Sequence, residues 1–136
     1  MSQGEHVFEK TTRGVNVRVR PEFCRDRSEP ESGNYFWLYT IVIENTAEQD
    51  VQLVRRHWEI TDGRGAKEVV DGAGVVGEQP VLSPGDTFQY TSGVPLGTPT
   101  GFMGGHYTMR DMSGGQFSVA IPMFSLDSPF AAQTMN

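Results

Sequence analysis

Three glycines in the stretch DGAGVVGEQP, residues 71–80, have a spacing that occurs in nucleotide-binding loops. Gly72, Gly74 and Gly77 form the pattern G-x-G-x-x-G, in which glycines let the backbone approach a pyrophosphate group. Successive backbone N–H groups in such a loop can also bind an anion by themselves. Phosphate binding is therefore the first chemistry that the sequence raises.

The residues that follow the glycines exclude a dinucleotide-binding fold. That fold needs a helix directly after the loop, because the N terminus of the helix holds the pyrophosphate. Pro80 and Pro84 fall within the first two turns of such a helix, and each would cost about 3 kcal/mol in a helix interior. The position about 20 residues on, where a carboxylate would bind the ribose, reads SGVPLG, and no Gly-Lys-Ser/Thr follows the glycines. Two interpretations remain open: a tight turn between strands, and a backbone site for an anion.

An anion in this loop would need basic residues from the first half of the chain. Arg110 is the single Lys or Arg after residue 68, whereas Arg55, Arg56, Arg64 and Lys67 shortly precede the loop. We group the three glycines with Arg64 and Lys67 as a hypothetical anion- or phosphate-binding site.

The remaining reactive side chains do not form a catalytic or metal-binding pattern. His6, His57 and His106 have none of the spacings of zinc sites. No serine lies in a G-x-S-x-G elbow. Asp62 and Asp71 flank a short predicted strand, where we expect them to cap turns. The sequence therefore predicts no catalytic residues, no metal site and no cofactor, and a protein that is not an enzyme.

Phe102 and Met103 are the apolar residues that we assign to a partner-binding surface. They follow the Pro- and Gly-rich segment 94–101, which we expect to connect two strands. Met123 and Phe124 form a second candidate of this kind. Exposed apolar residues beside a loop would offer a docking site for another protein.

Length and charge indicate one domain in a reducing compartment. We expect a single domain over the 136 residues, with a core of about 13–127 and a frayed tail at 128–136. The net charge of −6 argues against nucleic acid as a partner. No apolar run reaches the roughly 20 residues that span a bilayer, and the first ten residues lack a signal-peptide pattern. Cys24 is the single cysteine, so no internal disulfide can form, and we expect a cytoplasmic protein without membrane contact.

Period-two alternation predicts about seven β-strands and no α-helix. In residues 14–20, three valines alternate with polar residues, as in a strand with one buried face. The stretch 35–45 is mostly apolar on both faces, which is typical of a central strand. The other predicted strands are 51–61, 66–70, the part of 80–93 that holds Phe88 and Tyr90, 102–112 and 116–126. This pattern favours an all-β fold, an immunoglobulin- or fibronectin type III-like antiparallel sandwich, with a small barrel as the alternative.

Strict alternation also predicts which side chains share a face in strand 51–61. It places Val54, Trp58 and Ile60 on one face together with Arg56. The other face receives Val51, Leu53, Arg55, His57 and Glu59, of which the charged members are expected to be solvated.

Three motifs in this order closely resemble those of the bacterial ApaG family, also called CorD. They are G-x-G-V-V-G-x-x-P at 72–80, P-G-x-x-F-x-Y-T-S-G at 84–93 and G-x-M-x-G-x-Y at 101–107. The resemblance covers about residues 13–127, and the charged loop 24–34 is its one departure. It implies a fibronectin type III-like sandwich and no established enzyme activity.

The resemblance also implies a set of functional associations. Related domains occur in eukaryotic F-box proteins and in a polymerase-delta-interacting protein. Bacterial members are often encoded beside a diadenosine tetraphosphate hydrolase and an rRNA dimethyltransferase, and the family has been tied to cobalt resistance and magnesium efflux. We therefore expect a regulatory protein-interaction module linked to divalent cation homeostasis, with a phosphate- or dinucleotide-binding sensor at 72–77 as the alternative. An unidentified protein is the expected partner, and the chain is expected to be a monomer or, through an exposed edge strand, a homodimer.

Overall fold

The computed structural model describes residues 6–131, most of which lie in strands or in the turns between them. Two short 3₁₀ turns, Arg25–Arg27 and Pro30–Ser32, lie within the predicted loop 24–34. Among the described residues, no helix has the length and apolar character needed to cross a membrane. In chain order the strands are β1 (Phe8–Thr12), β2 (Val15–Phe23), β3 (Tyr35–Asn45), β4 (Val51–Asp62), β5 (Lys67–Ala73), β6 (Val81–Leu82), β7 (Thr87–Leu96), β8 (Thr100–Arg110) and β9 (Gln116–Asp127).

The strands form two antiparallel sheets packed face to face, which confirms the predicted all-β sandwich. One sheet has the order β1-β2-β3-β7, and the other has the order β5-β4-β8-β9 with β6 paired to β4. Residues 6–131 contain nine strands rather than about seven, because β1 has five residues and β6 only two, too few to show a clear alternation. Strands β7 and β8 also extend into the predicted connection 94–101, so only residues 97–99 lie between them.

Strands β2 and β3 show the predicted alternation. Val15, Val17 and Val19 are fully buried, and every odd-numbered residue of β3 is buried between the sheets. The even-numbered residues of β3 are only partly buried, so the strand is central within its sheet but has one face towards solvent. On one side of the sandwich β1 lies against β9, where the Ala120 N–H donates to Thr12 Oγ1 at 3.2 Å.

Strand β4 departs from strict alternation at Val54. Leu53 pairs with Met109 of β8 and Arg55 pairs with Thr108, so Val54 is an extra residue that forms a β-bulge. Before the bulge Val51 and Leu53 are buried, and after it Trp58 and Ile60 are buried. The predicted grouping of Val51 and Leu53 with the charged face is therefore wrong, because one inserted residue exchanges the two faces of a strand.

Asn45 is a buried polar residue that ties the end of β3 to three other segments. Its side chain is completely buried, and Nδ2 donates to the carbonyl oxygens of Gln49 and Leu82 at 2.8 and 2.9 Å. Its Oδ1 accepts from the Ala47 N–H at 2.9 Å, and its backbone carbonyl accepts from the Gly85 N–H at 2.7 Å. The side chain of Asn45 thus holds the β3–β4 connection against β6, and its backbone carbonyl holds the turn before β7.

Part of the segment predicted as a tail packs on the sandwich. Ser128 is buried, and the Phe130 ring lies 6.0 Å from that of Phe23 and 6.3 Å from that of Tyr35. Residues 132–136 of the predicted tail lie outside the described residues.

Replacement of Asn45 by alanine should destabilise the domain by about 2–3 kcal/mol, because it leaves buried backbone groups without partners. Urea unfolding would measure this loss. The matched control is Asn34→Ala at an exposed position, which should change the unfolding free energy by less than about 0.5 kcal/mol. Equal effects of the two substitutions would contradict the role given to Asn45.

Candidate functional site

The glycine motif forms the end of strand β5 and a tight hairpin turn. Gly72 lies in β5 opposite Arg56, and residues 75–78 form the turn. The Val75 N–H donates to the Glu78 carbonyl at 2.8 Å, and the Glu78 N–H donates back at 2.9 Å. Val76 and Gly77 between them have φ values of +43° and +82°, as a two-residue type I′ turn requires. The geometry of this loop therefore matches the predicted tight turn between strands.

Each glycine of the motif has a local reason in the packing. A Cβ on Gly72 would lie 2.7 Å from the guanidinium carbon of Arg56, so glycine lets that side chain lie across the strand. A Cβ on Gly74 would overlap the Glu78 carbonyl oxygen across the hairpin. Gly77 has open space around it, but its positive φ favours glycine.

Three N–H groups of the loop bond to carbonyl oxygens within the protein. The Gly74 N–H donates to the Val54 carbonyl at 2.8 Å. The N–H groups of Val75 and Glu78 each donate to the carbonyl oxygen of the other residue, as described above. The carbonyl oxygens of Ala73 and Gly74 face the guanidinium of Arg56. The loop therefore presents acceptors to a cation, which is the reverse of what an anion site at Gly72, Gly74 and Gly77 would need.

Arg64 and Lys67 lie at the opposite end of the β4–β5 hairpin from the glycine turn. Arg64 belongs to the tight turn after β4, where Asp62 Oδ1 accepts from the N–H groups of Arg64 and Ala66 at 2.8 and 3.0 Å. Lys67 starts β5, and Gly72 lies five positions further along the strand, about 17 Å away. The structure does not bring the two predicted cations to the glycines.

Of the predicted partner-binding residues, the structure exposes Phe102 and buries Met103. Phe102 is 41% exposed on the outer face of the five-stranded sheet, whereas Met103 is 1% exposed and belongs to the core. The second candidate divides in the same way, because Met123 is 66% exposed and Phe124 is buried. Met103 is corrected from surface residue to core residue, since neighbouring residues of a strand point to opposite faces.

Phe102 and Met123 line a groove of about 570 Å³ on the outer face of the five-stranded sheet, which we call the outer groove. Gly104 lies beneath it, where a Cβ would sit 3.2 Å from the Met123 Cα. Strand β9 has a bulge here, because Phe124 pairs with Met103 and Ile121 with Gly105. The other lining residues are Lys10, His57, Glu59, Thr61, Lys67, Gly105, His106, Ala120, Ile121 and Pro122.

His57 is held between two carboxylates beside this groove. Its Nδ1 lies 2.7 Å from Asp71 Oδ1, and its Nε2 lies 3.1 Å from Glu59 Oε2. The ring stacks on His106 with centroids 4.8 Å apart, and Lys67 Nζ contacts the other oxygen of Glu59 at 3.3 Å. The hydrogen bond to Asp71, and then the one to Glu59, raise the pKa of His57 because they favour the imidazolium form.

The hairpin turn in the sequence could have predicted part of this cluster, although no metal-site or catalytic spacing reveals it. A hairpin turn at 62–65 sets the β4–β5 register, and counting back from it places His57 opposite Asp71. Asp71 therefore pairs with His57 rather than capping a turn, while Asp62 caps its turn as predicted.

The arrangement of His57 differs from that of a catalytic triad. In a catalytic triad one ring nitrogen bonds a carboxylate and the other faces the nucleophile, whereas both nitrogens of His57 bond carboxylates. Among residues 6–131 no group of three or more His, Cys, Asp or Glu side chains is arranged to hold a metal ion. The cluster can set the local charge of the outer groove, which changes when His57 loses its proton.

Substitution of Val76 should stabilise the hairpin. Val76 is 54% exposed, and a β-branched residue at a φ of +43° is strained. Val76→Asn should raise the unfolding free energy by about 1 kcal/mol, because asparagine tolerates this conformation. The control Val69→Asn changes an equally exposed valine within strand β5 and should give no gain. A loss of stability in Val76→Asn would argue against the turn geometry.

The raised pKa of His57 should be measurable by titration and should make the stability of the protein depend on pH. By NMR we expect its pKa above 6.5, with a larger fall in Asp71→Asn than in Glu59→Gln. A raised pKa stabilises the fold below the unfolded value and loses that contribution as pH rises through the folded value. Glu59, whose pKa is lowered by His57 and then Lys67, adds stability above its own ordinary value.

Thermal unfolding at about pH 5.5 and about pH 8.5 measures this linkage. His57→Gln should lower the midpoint more at the acidic value than at the alkaline one, whereas Asn34→Gln, at an exposed and uncharged position, should show no such difference. An equal loss at both values for His57→Gln would mean that the raised pKa is not coupled to folding.

The chain was compared with known families, proteins and structures. Residues 25–111 match the ApaG domain family. Protein ApaG of Mesorhizobium japonicum is 52% identical over 130 residues, which are 96% of this chain and all of that protein. Protein ApaG of Azorhizobium caulinodans is 53% identical over the same shares. A crystal structure of the ApaA protein from Bordetella pertussis is 44% identical, with a TM-score of 0.83 over 85% of this chain and 94% of that one.

The two relatives are about half identical to this chain over 96% of its length, and the family model matches more than half of it. The chain therefore belongs to the ApaG family.

Proposed function

We propose that this protein is a non-catalytic interaction module that binds a protein partner in the cytoplasm through the outer groove. The observation that carries the proposal is the exposure of Phe102 and Met123 in one groove, on neighbouring strands of a sheet face with charged residues around them. A large apolar patch with a polar rim is typical of an interaction surface. The groove has the size of a pocket that receives one or two side chains.

The surroundings of the groove support binding rather than chemistry. His57, Glu59 and Lys67 interact with one another along its charged wall, so their polar atoms are already held in place. A partner that inserts an apolar side chain beside Phe102 would find this wall preorganised, which lowers the entropic cost of binding. In this proposal the family's association with cobalt and magnesium arises through the partner, not through a metal ion held by this chain.

The alternative, a phosphate or dinucleotide sensor at the glycine turn, has less support from the geometry. The N–H groups of Gly74, Val75 and Glu78 bond to carbonyl oxygens, and Arg64 and Lys67 lie at the other end of the hairpin. We keep the interaction module as the proposed function.

The test compares methionines of equal exposure. Met123 is 66% exposed in the outer groove, and Met112 is 69% exposed in the turn between β8 and β9. A protein captured from the lysate of the source organism by wild type and by Met112→Ser should be lost with Met123→Ser and with Phe102→Ser. Calorimetry with the purified partner should then show at least about a tenfold weaker affinity for both groove variants. A partner that binds all four proteins equally would show that the outer groove is not the docking site.

A further inference from the structure

Arg56 is a cation on the inner face of strand β4. The bulge at Val54 turns its side chain inward with Trp58 and Ile60, whereas its neighbour Arg55 is exposed. Arg56 pairs with Gly72 of the edge strand β5 on one side and with the buried Tyr107 of β8 on the other. Its guanidinium therefore lies between the sheets near one open side of the sandwich.

The guanidinium of Arg56 is positioned but not neutralised. Nη1 donates to the carbonyl oxygens of Ala73 and Gly74 at 3.0 and 2.9 Å, and the missing Cβ of Gly72 makes room for it. Within residues 6–131 no carboxylate lies within 4.0 Å of it, whereas the exposed-face Arg18 pairs with Glu44 at 3.1 Å. In the same described part, Nε and Nη2 have no hydrogen-bond acceptor. A partly buried guanidinium with free donors favours an anion, because its own desolvation is otherwise uncompensated.

A cleft of about 240 Å³ opens beside Arg56 between the edge strands β5 and β7. Tyr39 and Ser92, a cross-strand pair of the opposite sheet whose side chains interact with each other, line it, and Trp58 and Val70 supply apolar walls. Burial raises the pKa of Tyr39, so its phenol keeps its proton at neutral pH and can donate a hydrogen bond. The cleft thus combines one cation with neutral donors in a partly dry space.

We propose that this cleft binds an oxyanion, a phosphate or carboxylate group, with Arg56 as the charged ligand and the hydroxyls of Tyr39 and Ser92 as further donors. A guanidinium binds such groups through parallel N–H···O bonds, and Nε and Nη2 form one pair of adjacent donors. The volume suits a small anion or the anionic head of a larger ligand. The site goes beyond the proposed interaction surface, because it lies on the opposite face of strand β4 from His57 and the outer groove.

Removal of the negative charge of Glu68 should strengthen anion binding, and this direction of change tests the proposal. Glu68 lies at the far end of the same cleft, opposite Ile60, four residues along β5 from Gly72. Its negative charge should weaken anion binding without touching the anion. Glu68→Gln should therefore tighten binding by about threefold at low salt.

The experiment is an NMR titration of amide and guanidinium signals with inorganic phosphate and, separately, with acetate. Wild type should show saturable shifts at Arg56, Trp58 and Ser92 with at least one probe, and the arm with the tighter affinity identifies the anion class. Arg56→Gln should weaken binding by at least about tenfold, since a charge-assisted hydrogen bond is lost. Arg55→Gln, the same change on the outer face, should leave binding within about twofold after salt screening.

Two outcomes would overturn the site. One is the absence of saturable shifts in folded wild type with both probes at millimolar concentration. The other is an equal loss of binding in the Arg55 and Arg56 variants, which would indicate diffuse charge attraction. If Arg56→Gln fails to fold, the Glu68→Gln variant is the test. Unchanged or weaker anion binding in that variant contradicts the proposal. The groove variants of Phe102 and Met123 should bind the anion as wild type does, so this test is independent of the protein partner.

Discussion

A single extra residue in strand β4, Val54, determines which side chains reach the interior and which reach the surface. Before this bulge the odd-numbered residues Val51 and Leu53 point inward. Without the bulge the same alternation would continue, and His57 and Glu59 would be directed into the core. With it, the inner row continues as Arg56, Trp58 and Ile60. Both candidate sites therefore depend on one local irregularity, and bulges often redirect side chains beside functional surfaces.

The same glycine pattern can have different structural roles in different folds. In a dinucleotide-binding domain the glycines bring backbone N–H groups to a phosphate, but here they make room for a guanidinium and close a hairpin. The carbonyl oxygens of Ala73 and Gly74 hold Arg56 in place. If an anion binds near this loop, its contact is with the side chain that the loop positions and not with the loop itself.

The two faces of the β4–β5 hairpin have opposite electrostatic character. On the outer face the positive charges of Lys67 and of the protonated His57 balance the carboxylates of Asp71 and Glu59. On the inner face Arg56 has no carboxylate within 4.0 Å among the described residues. Our two proposals follow this difference, because a compensated cluster tolerates burial against a protein surface and an uncompensated cation favours a counter-ion.

The sequence by itself determined the fold class and most strands, because alternation such as that of Val15, Val17 and Val19 follows directly from burial of one sheet face. It also determined the family, since relatives named ApaG are about half identical over 96% of this chain. It could not decide the phase of β4 after Val54, because a bulge arises from pairing with β8 and leaves no local pattern. Only the tertiary structure decided that Met103 is buried beside the exposed Phe102, that Asp71 meets His57, and that Arg56 faces the cleft while Arg64 and Lys67 lie elsewhere. These relations join residues of different strands, and the register that brings them together is set by the packing of the whole sandwich.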